Sequence, residues 1–306
     1  CMSNHFKFRI YLPSLEKYVY FKEVNSKDHL AFIKTIQNKD HDITLEYFRG
    51  LILELCDNEV DYNELTRVDV FCILLNLRIL CVSSLLKLKF KCEKTEKIYN
   101  IELDLYDILD KVTNYDQQYT EDITISNDLQ MSLKIPTGLR YDNLQTTVLN
   151  CINMITLFGS VHDLRDYTTD QRRQIIDNLP GDVFGEIIKI VDKNHKNYDI
   201  EIFEQINPHN EEEKPVKHTL NLYSDSFYQF IRLIYDENLN NIYQIRYILC
   251  KQLGIDISYL ETITQAEIEI YVKLLEKELH DTKKASEKSS KQHDGYDIPG
   301  MVPTKT

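Results

Sequence analysis

Tryptophan is absent from this sequence, and its eight glycines are dispersed. A loop that cradles phosphate needs clustered glycines, so neither a dinucleotide fingerprint nor a P-loop is present. The HExxH, GxSxG and kinase signatures are missing too. Positive charge is in deficit, with 36 Lys and Arg against 49 Asp and Glu and a net charge of −13. Nucleic-acid phosphates call for the opposite balance, so nucleic acid is not expected as a partner. The seven cysteines, Cys1, Cys56, Cys72, Cys81, Cys92, Cys151 and Cys250, are odd in number and form neither a CxxC nor a disulfide framework. Several lie on apolar helical faces, where a reduced Cys acts as a small hydrophobe, and a reducing cytosol fits them. Long apolar runs are lacking as well. Val70 to Leu86 comes nearest, but it is short, holds Asn76 and Arg78, and runs into Lys87, Lys89 and Lys91. No membrane association is therefore expected. Met2 to Lys17 alternates and carries charge throughout, unlike a secretory leader.

What is present is a globular composition over 306 residues, with 42% hydrophobic and 28% charged residues. The chain is organised around Leu65 to Asp107. Thr66 and Asp69 are spaced as a capping box, and the run Val70 to Val82 is apolar almost all round, which a helix tolerates only inside protein. Alternation follows. Leu86, Leu88 and Phe90 face one way and Lys87, Lys89 and Lys91 the other, and Ile98, Tyr99, Ile101, Leu103 and Leu105 form the returning strand.

Upstream, Phe6, Phe8 and Ile10 alternate towards a Leu12-Pro13-Ser14 turn, and Tyr18, Tyr20 and Phe21 begin the return of a hairpin. Helices follow around Leu30 to Ile36 and after Thr44, a predicted N-cap. Downstream, two strands flank Asn127-Asp128, Leu144 to Phe158 reads as a helix, and Gly159 to Thr169 reads as a loop. A helix from Val183 to Val191, a hairpin around the acidic Glu211 to Glu213 loop and a helix from Phe227 to Ile234 repeat the plan. Thr264 and Glu267 cap a final amphipathic helix bearing Ile268, Tyr271, Leu275 and Leu279. The fold class expected is α+β, mainly helical, with short antiparallel β-hairpins inserted between helices. Domains are expected at 1–138 and 139–281, followed by a disordered tail at 282–306.

Taken in order, Leu12-Pro13-Ser14, the helix holding Leu74 and Arg78, and the Lys89-Phe90-x-Cys92 hairpin resemble the baseplate hub proteins of T-even-type contractile-tailed phages. The similarity covers Phe6 to Tyr141 and continues more weakly over Leu179 to Leu279. It implies a structural or assembly protein of the tail baseplate, without enzymatic activity, acting through protein–protein contacts. The implied partners are other hub subunits and the tape-measure protein, in an oligomeric assembly. The implied location is the virion tail baseplate, assembled in the host cytoplasm. The resemblance implies a Cys pair or quartet in this hairpin for some members of the family, which would make a small zinc knuckle, but Glu93 to Lys97 offers no second Cys here, so no metal is expected.

No catalytic residue and no cofactor are assigned. Arg78, the one charge in the central helix, is expected to pair with a carboxylate. Interface candidates are Arg78 itself, Phe90 and Tyr99 on the hairpin, Tyr243 and Tyr247 among the tyrosines of the last third, and Tyr296 and Pro299 in the tail. Two other classes of function stay open. One is a metal-dependent hydrolase built on His41-Asp42 or His162-Asp163, and the other is an acidic virus-encoded module that binds a host protein.

Overall fold

A computed structural model describes residues 7–38, 40–57, 59–91, 98–114, 120–126, 128–134, 144–195, 199–205 and 216–293. The fold is α+β and mainly helical, with short antiparallel sheets. Contacts divide the chain into one unit of residues 1–24 and 28–237 and another of residues 25–27 and 238–306. The boundary that composition places near Gly138 falls within 135–143, outside the described residues.

The first unit opens with strands β1 (Lys7–Leu12) and β2 (Lys17–Lys22), paired antiparallel and joined by a 3-10 turn at Pro13–Leu15. Ile10, Leu12, Val19 and Phe21 form its buried face. Helices α1 (Ser26–Gln37) and α2 (His41–Leu55) follow, and α1 belongs to this unit from Asp28 onward. Thr44 does not cap α2. The Asp40 carboxylate accepts the Ile43 N–H at 3.1 Å, and Thr44 donates its hydroxyl to the Asp40 carbonyl from inside the first turn. Helix α3 (Arg67–Cys81) carries the expected Thr66–Asp69 capping box, and Val70 to Leu75 are completely buried. Strands β3 (Leu85–Lys91) and β4 (Ile98–Asp104) then pair antiparallel, with Phe90 opposite Tyr99. Leu105 belongs to no strand. It opens helix α4 (Leu105–Thr113), because the Asp104 carboxylate accepts the Tyr106 N–H and the spacing of Leu105, Ile108 and Val112 buries one helical face.

A second core lies between the two halves of the first. Strands β5 (Thr120–Ser126) and β6 (Leu129–Lys134), helix α5 (Leu144–Cys151), strands β7 (Ile152–Leu157) and β8 (Ser160–Asp163), and helices α6 (Thr169–Asp177) and α7 (Gly181–His195) bury Met131, Leu133, Val148, Ile152, Ile187 and Val191 together. The strands form one antiparallel sheet in the order β5-β6-β7-β8. The single helix read over Leu144 to Phe158 therefore stops at Cys151. Ile152, Ile155 and Thr156 are β-branched, and pairing with β6 on one side and β8 on the other overrides the helical reading. The loop read from Gly159 to Thr169 holds β8 and a 3-10 turn at Leu164–Asp166.

The chain then returns to the first core. Strands β9 (Asp199–Gln205) and β10 (Val216–Asn221) form a hairpin, and helix α8 (Ser226–Ile234) follows. Ile200, Leu220, Phe227, Phe230 and Ile231 join the cluster that holds Ile10, Phe48 and Phe71. The Phe71 and Phe230 ring centroids lie 5.7 Å apart.

The second unit holds residues 25–27, α9 (Leu239–Leu253), α10 (Ile257–Thr262) and α11 (Gln265–His293). Gly254, at φ +66°, ends α9 in the left-handed region. Leu249, Leu260, Ile263, Ile268 and Leu275 make a small core. Ser26 ties it together, since its N–H donates to the Ile263 carbonyl at 2.7 Å, its hydroxyl donates to the Leu260 carbonyl at 2.6 Å, and its own carbonyl accepts from Arg246 Nη2 at 2.8 Å. The Thr264–Glu267 capping box starts α11 as the spacing predicts. Composition predicts disorder from Lys283, yet α11 continues to His293, because lysine, glutamate and alanine are good helix formers even without an apolar stripe. Residues 294–306, with Tyr296 and Pro299, lie outside the described residues.

Candidate assembly surfaces

Of the residues singled out from sequence, Arg78 is interior. It is buried, and its partners differ from the expected carboxylate: Nε donates to the Ile234 carbonyl and Nη1 to the Ser83 carbonyl, each at 2.8 Å. Ile234 is the last residue of α8, and the final carbonyls of a helix have no partner within it, so the guanidinium caps α8 from the side. Nearby, the Tyr235 hydroxyl donates to the Leu74 carbonyl at 2.7 Å, and burial drives its pKa far upward. Buried His29 meets Glu237 at 3.1 Å. Burial opposes ionisation of Glu237, but the hydrogen bond from His29, with the charges of His29 and Arg78, outweighs it and holds the carboxyl below its ordinary value. Arg78 is thus a joint between α3 and α8.

Phe90 and Tyr99 are cross-strand partners on β3 and β4, and their side chains lie outside the described residues. Tyr243 and Tyr247 are placed more informatively. Ile242, Arg246 and Leu249 form the buried side of α9, which turns Tyr243 and Tyr247, one helical turn apart, towards solvent at 47% and 63% exposure. Lys251 stands over the Tyr247 ring at 5.7 Å. Ile248, Leu253, Ile257 and Tyr259 are exposed on the same unit, as are Ile270, Leu274 and Leu279 on α11. Single exposed apolar residues are ordinary, and this small unit exposes several of them.

The first unit presents a different feature. Leu129, Met131, Ile155 and Leu157 on the sheet, with Ile175, Leu179 and Pro180 on and after α6, line a groove of about 500 Å³. Gln171, Gln174 and Asn178 stand at its edge, and His162 reaches it from β8. His162 Nδ1 and the Tyr167 hydroxyl share a hydrogen bond at 2.8 Å. No cluster of three or more His, Cys, Asp or Glu placed to hold a metal occurs among the described residues. The side chains of His41 and Asp42, like Cys92 and Glu211 to Glu213, lie outside them. Sequence reading missed this groove because it took both β7 and β8 for other structures. The Phe158-Gly159 pair between two alternating segments was the available signal.

A family model for the T4 bacteriophage base plate protein matches residues 3–222. The chain belongs to that family. No curated protein and no solved structure matches it. A structural role in a phage base plate follows, in contact with other base plate proteins. The match spans β1 to β10, and so includes the capped α3, the β3–β4 hairpin and the groove, while the tyrosine-bearing α9 lies beyond it. Among the described residues of this base plate protein no helix is long and apolar enough to cross a membrane.

Proposed function

We propose that this base plate protein works at the hub of a contractile tail, holding neighbouring hub subunits by direct contact and performing no reaction. The observation that carries this is the exposed apolar and tyrosine-rich face of the second unit, centred on Tyr243 and Tyr247, attached to a first unit of base plate type. Tyrosine suits such contacts because it offers large apolar area with a polar tip and few rotatable bonds. Placement at the hub rests on the ordered Leu12-Pro13-Ser14, Arg78 and Phe90-x-Cys92 resemblance. The tape-measure protein is a second partner of the same reading.

Quantitative mass spectrometry of purified tails beside the assembly intermediates tests it. The chain is expected at a fixed ratio to the hub subunits in one or both. Its presence in finished tails makes it a component, and its presence in intermediates alone makes it an assembly factor. Absence from both, with a host protein recovered by affinity capture, would replace the hub reading with the host-binding one.

A further inference from the structure

Strands β1 and β2 bury Ile10, Leu12, Val19 and Phe21, and their alternation turns Lys7, Arg9 and Tyr11 of one and Tyr18, Tyr20 and Lys22 of the other to the opposite face. Tyr18 and Tyr20 are 55% and 51% exposed. In cross-strand register Arg9 lies opposite Tyr20, and Tyr11 lies opposite Tyr18. The Tyr11 and Tyr18 ring centroids are 5.0 Å apart, and the guanidinium carbon of Arg9 stands 4.2 Å from the centre of the Tyr18 ring. Such a contact holds an exposed guanidinium in place. The two lysines are already paired, since both donate to the Asp57 carboxylate, Lys7 at 2.9 Å. Arg9 has no hydrogen bond or ion pair among the described residues, so its fork of N–H donors is open.

Charge and shape select what meets this face. A planar guanidinium takes a carboxylate through two parallel hydrogen bonds, a match that neutral groups do not make. Tyr11, Tyr18 and Tyr20 surround it with apolar area that keeps water from such a pair, the setting in which Arg and Tyr dominate binding at protein interfaces. Tracking a nucleic-acid backbone takes several free cations, whereas Asp57 ties up both lysines here and leaves Arg9 alone. A second copy of this chain, at −13, is repelled as a whole. The hairpin also lies inside the stretch that matches the base plate family, and other base plate proteins are the contacts which that membership brings. We infer that the outer face of β1 and β2 docks another base plate protein, through a segment that presents an Asp or Glu carboxylate to Arg9 and apolar side chains to Tyr18 and Tyr20. This rests on base plate membership and not on placement at the hub.

Site-specific photocrosslinking tests the docking. The full chain, carrying a benzophenone side chain in place of Tyr20, is mixed with tail assembly intermediates from infected cells that lack this chain, irradiated, and the linked peptides are identified by mass spectrometry. Linkage is expected to a base plate protein other than this chain, within a few residues of an Asp or Glu. Arg9→Ala and Arg9→Glu are expected to lower the yield about tenfold or more with little change in melting temperature, because the side chain is exposed, and Arg9→Lys is expected to keep part of it. Exchanging the partner's carboxylate residue for Lys should recover the yield with Arg9→Glu. No linked product, linkage to a second copy or to nucleic acid, or a yield indifferent to Arg9→Glu each overturns the proposal. A linked base plate protein from outside the hub upholds the docking and sinks the hub placement instead.

Discussion

Ser14 and Asp69, 55 residues apart, meet at the start of the central helix, where the Ser14 N–H donates to the Asp69 carboxylate at 2.9 Å and the Ser14 hydroxyl donates to its other oxygen. The same carboxylate accepts the Thr66 N–H at 2.8 Å and the Thr66 hydroxyl at 2.7 Å. One fully buried side chain thereby caps α3 and anchors the N-terminal hairpin to it. Asp69→Ala strands buried donors in two segments and is expected to cost about 3 kcal/mol or more. Ser14→Ala is expected to cost about 1–2 kcal/mol. Urea unfolding of both single variants and the double variant checks this. The two losses should fail to add, because they remove a shared interaction.

Arg78→Met keeps the length of the side chain and leaves the Ile234 and Ser83 carbonyls without their donor. A loss of about 2–4 kcal/mol is expected in denaturant unfolding. Arg78→Lys should recover only part of it, since a single ammonium cannot reproduce two directed guanidinium bonds.

The depressed Glu237 carboxyl predicts a pH dependence of definite sign. Its folded pKa lies below the unfolded value, so its contribution is complete above that ordinary value and is lost as pH falls through the folded one. Glu237→Gln should therefore be less stable than wild type by about 2 kcal/mol at neutral pH. The gap should close as the pH is lowered below roughly 4. Thermal melts of both proteins from pH 3 to 7 check it; a gap that is constant with pH would show that the ionised form is not the stabilising one.

Burial makes three thiols poor nucleophiles. It pushes Cys72 well above the usual thiol range, Cys81 up to about 11 and Cys151 up to about 12. Iodoacetamide at pH 8 should leave all three unmodified in the native protein and label them in urea, with peptide mass spectrometry as the readout. Cys250, half-buried on α9, should be labelled faster than these in the native state.

Tyr243 and Tyr247 belong to the outer side of α9, so replacing both with serine, which also removes the Lys251 contact with the Tyr247 ring, should cost no more than about 1–2 kcal/mol. Recovery of the variant with tail intermediates by co-sedimentation should fall sharply. Retention at the wild-type level would remove these residues from the contact surface.

The α3 helix was legible in the sequence because Thr66-x-x-Asp69 is a local cap and the run after it is apolar on every face. Ser14 as its partner was not, since nothing local links a turn residue to a helix start so far along the chain. Asp104 with Leu105, Ile108 and Val112 did hold the signal for α4, and Thr168 with Gln171 held it for α6, but each was overshadowed by a neighbouring strand or loop pattern. Cys151 to Phe158 is a harder case. Its apolar residues fit a buried helix and a buried strand alike, and only the presence of β6 decides between them. Arg78 was legible as a buried charge. Its carbonyl partners were not, because a helix end from a distant segment supplies one of them.

The bond from the Tyr235 hydroxyl to the Leu74 carbonyl joins residues 161 positions apart, and so sets when this protein can mature. A ribosome that has passed residue 138 has made all of α3 but none of Ile200 to Tyr235, which completes the cluster around it. Contacts of such long range form slowly, and until they form the apolar surface of α3 stays adhesive. Chains terminated early should be captured by chaperones or aggregate rather than compete for places in the base plate. A chain that has emerged through Tyr235 is thus the earliest form whose central core can close.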